Sequence, residues 1–109
     1  MNESVIAVLC KEAQAGELRF SRHYAMRLWE RPMPDRGQIR YLLCADEPEV
    51  IERRRSEGGR SYLIWGIMED ERVGHVLCSD PPMAVVITAY WPDTEPFEWQ
   101  SNYKRRVPK

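Results

Sequence analysis

Up to about Ala45 the apolar positions recur at helical spacing, and from Glu49 onward they alternate. Val5, Ile6, Val8, Leu9 and Ala13 lie on one helical stripe and Gly16 is a natural stop, which predicts a helix from Val5 to Ala15. The alternation of Leu18 and Phe20 suits a brief edge strand within Glu17 to Phe20. Ser21 is a good N-cap and Phe20 can staple onto Ala25, so a second helix is expected from about Arg22 to Arg31, ended by Pro32 and Pro34. Around that helix Tyr24, Ala25, Leu28 and Trp29 cover one broad arc, while His23, Arg27 and Arg31 line up on the adjoining one. Asp35 and Gln38 have the form of a capping box. Ile39, Leu42 and Leu43 then make the stripe of a third helix that stops near Ala45, before Pro48.

The alternating half reads as four strands in a meander: Glu49 to Arg55, Arg60 to Met68, Val73 to Ser79 and Ala84 to Trp91. They are separated by Gly58-Gly59, Glu69-Asp70-Glu71 and Pro81-Pro82. Helices first and adjacent strands afterwards predict an α+β fold, with the N-terminal helices packed on one face of a four- to five-stranded antiparallel sheet. The other face is then free for a ligand. In the last strand, alternation groups Val85, Ile87, Ala89 and Trp91 on one face and Val86, Thr88 and Tyr90 on the other. Beyond Trp91 no period survives, and 92–109, with three prolines and the basic run Lys104-Arg105-Arg106, reads as an extended C-terminal arm. The 109 residues are expected to form a single domain.

Composition narrows the choices. The hydrophobic fraction of 43% supports a packed core, and no apolar run approaches the roughly 20 residues of a bilayer span. The start Met-Asn-Glu-Ser has no signal-peptide character, so a cytoplasmic location is expected. Cys10, Cys44 and Cys78 are too far apart in the chain for a ligand cluster. Their odd number argues against a disulfide framework, so they read as buried thiols, with a reactive Cys78 as the exception to watch. No metal or cofactor is called for. Sixteen basic and seventeen acidic residues give a net charge of −1, which does not by itself favour nucleic acid. Thirteen of the bases are arginine, a side chain suited to two-pronged contacts with phosphate, although a GC-rich genome also favours arginine.

The candidate chemistry is sparse. His23, Arg27 and Arg31, spaced i, i+4, i+8, can converge on one anion, or can form a plain solvated face with Glu30 as their counter-charge. His75 falls within a strand, where a satisfied core histidine is the plainer reading. Thr88 and Tyr90 point together from the last strand. A Gly-rich phosphate loop, a GxSxG elbow, an HExxH pair and paired carboxylates among apolar residues are all missing, which disfavours nucleotide hydrolysis, acyl transfer and zinc proteolysis. Histidine, arginine and tyrosine form the kind of set used for metal-free RNA cleavage. There a base takes the 2′-hydroxyl proton, an acid protonates the leaving 5′-oxygen and arginines offset the charge on phosphorus.

The ordered motifs Phe20-Ser21-x-His23-x-Ala25, Arg27, Glu30-Arg31, Pro48-x-Val50-Ile51-Glu52, Gly66, His75-Val76-x-Cys78 and Val86-Ile87-Thr88-Ala89-Tyr90-x-Pro92-Asp93 resemble the domain-of-unknown-function family numbered 4258. The likeness runs from about residue 5 to Trp99 and Arg105-Arg106. It implies a fold similar to the RelE group of ribonuclease toxins and a gene paired with an antitoxin, of YgiT-like zinc-finger or helix-turn-helix type. The implied role is a toxin acting as a metal-independent endoribonuclease on free or ribosome-bound RNA. On that reading His23, His75, Arg27, Arg31 and Tyr90 are the catalytic candidates, and Arg60, Thr88, Arg105 and Arg106 the substrate-binding ones. The chain departs from the family where Pro32-Met33-Pro34-Asp35 stands in place of Arg-Gly-Ile-Ser, and in its acidic turn Glu69-Asp70-Glu71. The alternative is a non-catalytic protein-binding module, or a degenerate toxin that only docks a partner.

Overall fold

The Ser4 hydroxyl accepts from the Ala7 amide and opens helix α1, Val5–Gln14, in the computed structural model, which describes residues 4–56, 58–94, 98–100 and 102–108. Gly16 ends it as expected, with the left-handed φ of 72° that glycine adopts without a steric penalty. Strand β1 is Arg19–Phe20. Ser21 caps helix α2, Arg22–Glu30: its hydroxyl accepts from the Tyr24 amide at 3.0 Å and donates to the Ile87 carbonyl at 2.7 Å, so one side chain ties the helix start to the sheet. Phe20 stacks on Tyr24 at 5.1 Å, where the sequence suggested Ala25 as its staple partner. The Asp35–Gln38 capping box forms in full and starts helix α3, Arg36–Cys44.

Strands β2 (Glu49–Ser56), β3 (Gly59–Ile67), β4 (Val73–Ser79) and β5 (Val85–Tyr90) form the expected antiparallel meander. Among the described residues the sheet has five strands in the order β1-β5-β4-β3-β2, and β1 joins its edge parallel to β5. The fold is α+β, with three helices N-terminal to a mostly antiparallel sheet.

The core lies between helices and sheet. Leu9, Tyr24, Ile39, Leu42 and Leu43 meet Tyr62, Ile64, Val76, Cys78, Val86 and Ala89. Burial drives this packing, at about 1.5–3 kcal/mol for each fully buried large apolar side chain. Helix α3 approaches the sheet closely over Gly66: a Cβ there would lie 2.5 Å from Leu42 Cγ. Gly66→Ala is therefore expected to lower stability by about 1–3 kcal/mol, measured by chemical denaturation. Glu12 of α1 reaches back to accept from the amides of Met83 and Ala84, and so fixes the β4–β5 turn where Met83 has a left-handed φ of 63°.

Several expectations are corrected here. Cys10 and Cys44 are joined by a disulfide, because α1 and α3 lie side by side with these two Cα atoms 5.0 Å apart, a proximity that sequence distance does not reveal. Closing a loop of that length contributes about 2–4 kcal/mol, so reduction is expected to lower the melting temperature, with Cys10→Ser reproducing the shift. Cys78 is the buried thiol; burial pushes it up to about 12, which leaves it unreactive. Trp29, placed by its arc beside Tyr24, instead points into solvent and is 92% exposed.

The third correction is a register shift. Leu77 pairs with Thr88 but Cys78 pairs with Val86, so Ile87 is the extra residue of a bulge. A bulge flips the faces on one side of it. Val86 therefore joins Ala89 in the core, while Thr88 and Tyr90 stay together on the opposite face.

That opposite face is not left free. The described residues after Trp91 do not run on as an extended arm: Pro92–Thr94 form a 3-10 turn, and Trp99 bridges back to Arg106 across a tight turn in which Tyr103 has φ 59°. Residues 95–97, 101 and 109 of the expected arm lie outside the described residues. The folded-back segment covers Trp65, whose indole N–H donates to the Asn102 carbonyl at 2.8 Å and whose ring lies under Lys104, itself paired with Glu49. Two large aromatic surfaces, Trp65 and Trp99, are removed from water by this arrangement, which is why the segment folds back. Among the described residues no helix is long and apolar enough to cross a membrane.

Candidate functional site

Between α2, β5 and the folded-back C-terminal segment lies a cleft of about 330 Å³. Helix α2 contributes His23 and Arg27. Arg31 follows just past the helix end, in extended conformation, and still faces the cleft. The i, i+4, i+8 spacing thus leads to one cavity. Strand β5 contributes Thr88 and Tyr90, the floor is formed by Leu63 and Leu77, and Arg54, Glu98, Trp99 and Arg106 close the far wall. Among the described lining residues, His23 and four arginines stand against one carboxylate, Glu98. Arg27 also has Glu30 within 3.3 Å, but both side chains are exposed and the pair is worth little.

The other histidine sits behind this wall. His75 of β4 is fully buried, flanked across the strands by Trp65 and Tyr90, and covered by Trp99 at a ring separation of 4.5 Å. Its Nε2 lies 2.7 Å from the Tyr103 carbonyl and its Nδ1 lies 3.2 Å from the Tyr90 hydroxyl. A carbonyl only accepts, so Nε2 carries the hydrogen and Nδ1 accepts from the phenol. Burial outweighs the hydrogen bond to Tyr103 and drives the imidazole down to about 4, so it is neutral at physiological pH. Burial likewise pushes the Tyr90 phenol up to about 12. Tyr90 therefore directs its hydroxyl inward to His75 while lining the same cleft as His23.

Arg106 enters the site from the C-terminal segment. It stacks on Trp99 at 4.6 Å and donates to Glu52 at 2.6 Å. Arg54 donates to the same carboxylate at 2.8 Å. Burial opposes ionisation of Glu52, yet the hydrogen bonds from Arg106 and Arg54 prevail and hold its carboxyl below the usual range. Glu52 thus anchors two cleft arginines from below. Glu52→Gln is expected to keep the fold but loosen Arg106, seen as faster amide exchange at Gln100 and Val107.

The remaining candidates lie elsewhere. Arg60 is at the tip of the β2–β3 hairpin, in a separate hollow, and Arg105 is an exposed turn residue whose carbonyl accepts from Gln100. Arg54, Glu98 and Trp99 were not singled out from the sequence. Arg54 had a usable signal, because it shares a strand face with Glu52. The two others arrive through a turn that has no periodicity. Among the described residues no group of three or more His, Cys, Asp or Glu side chains could hold a metal ion. No family model, curated protein or solved structure matches the chain.

Proposed function

We propose that the protein is a metal-independent endoribonuclease, the toxin of a toxin–antitoxin pair, and that the cleft between α2 and β5 is its RNA site. The observation that carries this reading is the convergence of His23, Arg27 and Arg31 with Arg54 and Arg106 around Tyr90 and Thr88. An imidazole on a wall of guanidinium groups suits the attack of a 2′-hydroxyl on the adjacent phosphate. His23 takes the 2′-hydroxyl proton as the O2′–P bond forms, and as imidazolium returns it to the 5′-oxygen when the P–O5′ bond breaks. The products are a 2′,3′-cyclic phosphate and a free 5′-hydroxyl. Arg27 and Arg31 hold the phosphate and its added charge, a task suited to permanently charged forked donors. Tyr90 offers its ring beside the cut with Thr88 next to it, and His75 positions Tyr90 without touching RNA.

The test is induction of the protein in cells, with and without the product of the neighbouring gene, followed by growth, RNA integrity and end-group analysis. The expected result is arrest relieved by the neighbour, with cyclic-phosphate ends that also form in vitro with EDTA present. Intact RNA under all conditions overturns the reading, and loss of activity with EDTA overturns its metal-free chemistry.

A second reading, a protein-docking module, is favoured by the outer side of α2, where Trp29 is 92% and Met26 54% exposed. The two readings differ in what a partner must cover. If the partner neutralises the site by presenting carboxylates to Arg27 and Arg31, charge reversal there abolishes capture. If it docks on the apolar side, Trp29→Ser abolishes capture and charge reversal does not. The measurement is calorimetric titration with the purified neighbour.

A further inference from the structure

We infer a second anion subsite at the tip of the β2–β3 hairpin, filled by a phosphodiester of the same RNA strand that enters the cleft. This rests on the RNA-cleaving reading above and adds a path for the strand outside the reaction centre. Strand β2 carries Arg53, Arg54 and Arg55 in succession, and the strand register sets Arg55 directly opposite Arg60 of β3. Like charges directly opposite on neighbouring strands are destabilising, so this end of the hairpin is assembled against its own electrostatics. Among the described residues the carboxylate that serves these arginines, Glu52, is taken by Arg54 and Arg106. Arg53, Arg55 and Arg60 form no ion pair within the described residues.

The three arginines, with Arg54 and Tyr62, surround a hollow of about 240 Å³. Tyr62 is held in place because its hydroxyl donates to Asp80 at 2.9 Å, which also occupies the nearby carboxylate. Guanidinium groups around such a hollow suit the planar, two-pronged capture of a phosphate. Arg54 lines both this hollow and the cleft, so the two adjoin at one residue of β2. Its side chain shares the cleft face with Glu52, and Arg53, Arg55 and Arg60 share the other face with Tyr62. That adjacency selects a polymer with repeated phosphates over an isolated anion. A strand gripped at α2 in the cleft rounds β2, the edge strand of the sheet, to reach the tip on the face of Tyr62. The tip contact is to the backbone and independent of base identity.

The experiment measures equilibrium binding of two labelled single-stranded RNAs over a salt series, a short one that fills only the cleft and a longer one that reaches the tip. It compares the wild type with the Arg55→Gln/Arg60→Gln double variant. Loss of one phosphate contact is expected to make the slope of log K against log salt shallower by about 0.7 for the longer RNA. Its affinity falls several-fold while the short RNA is bound equally by both proteins. Arg55→Lys/Arg60→Lys restores the slope, because lysine keeps the charge. The Gln variant is also expected to melt higher than the wild type, as removal of the opposed charges relieves repulsion. An unchanged slope and affinity with the longer RNA overturns the tip subsite while leaving the cleft reading intact. A wild type that binds neither RNA overturns the cleft reading and the subsite with it.

Discussion

His23→Ala and Arg27→Ala are each expected to lower RNA cleavage by roughly 10²–10⁴ while the protein still melts cooperatively. The two side chains project from one face of a short helix into the cleft and neither is buried, so their removal changes the site with little disturbance of the interior. His23 is the imidazole with access to the cleft; His75 has both nitrogens engaged within the protein. Arg27→Lys separates charge from geometry: it retains a cation but not the fork, and is expected to recover part of the lost rate. The measurement is single-turnover cleavage of a labelled RNA with EDTA present, beside thermal melts of each variant. Wild-type rates in both folded alanine variants would remove His23 and Arg27 from the reaction.

The stability of the protein is expected to fall as pH drops from about 6.5 to about 4, and His75 is the cause. In the folded protein burial keeps this imidazole neutral down to about 4, whereas in the unfolded chain it takes up a proton near its ordinary value of 6.5. Between those values the unfolded state binds more protons, so the folded state loses stability as acid is added, and the contribution is fully present above 6.5. At about 1.4 kcal/mol per pH unit the gap corresponds to roughly 3 kcal/mol. His75→Gln, which cannot titrate, is expected to flatten this acid limb in urea melts at pH 7, 5.5 and 4.5. His75→Ala goes further, since it leaves the Tyr103 carbonyl and Tyr90 hydroxyl unpaired beneath Trp99. About 3 kcal/mol or more should be lost, with proteolysis appearing first in the C-terminal segment. An acid limb of equal steepness in His75→Gln would show that other groups set the pH dependence.

Local chemistry made much of the architecture legible from the sequence. Ser21 and the Asp35–Gln38 box announce helix starts through hydrogen bonds made within a few residues, and these need no tertiary partner. The change of apolar period from helical spacing to alternation gave the order of helices and strands for the same reason. The His23, Arg27, Arg31 strip was likewise readable, because helix geometry alone sets side chains four residues apart on one side.

Other features depend on contacts between distant parts of the chain. The Cys10–Cys44 bond exists because α1 and α3 pack side by side and bring together two cysteines 34 residues apart, a fact invisible in the spacing. The bulge at Ile87 moved Val86 into the core, since pairing with β4 prevailed over simple alternation along β5. Trp29 shows the converse: an apolar residue on a plausible arc stays in water when no element packs against it. The C-terminal segment carries no period of its own and is shaped by what it covers, so Trp99, Arg106 and the shielding of His75 came only with the fold. The sequence by itself determined the elements and one wall of the cleft, because capping and periodicity act within a few residues. The opposite wall, the buried state of His75 and the inward turn of the Tyr90 hydroxyl were decided by tertiary structure, because burial and cross-strand hydrogen bonding join groups that the chain keeps far apart.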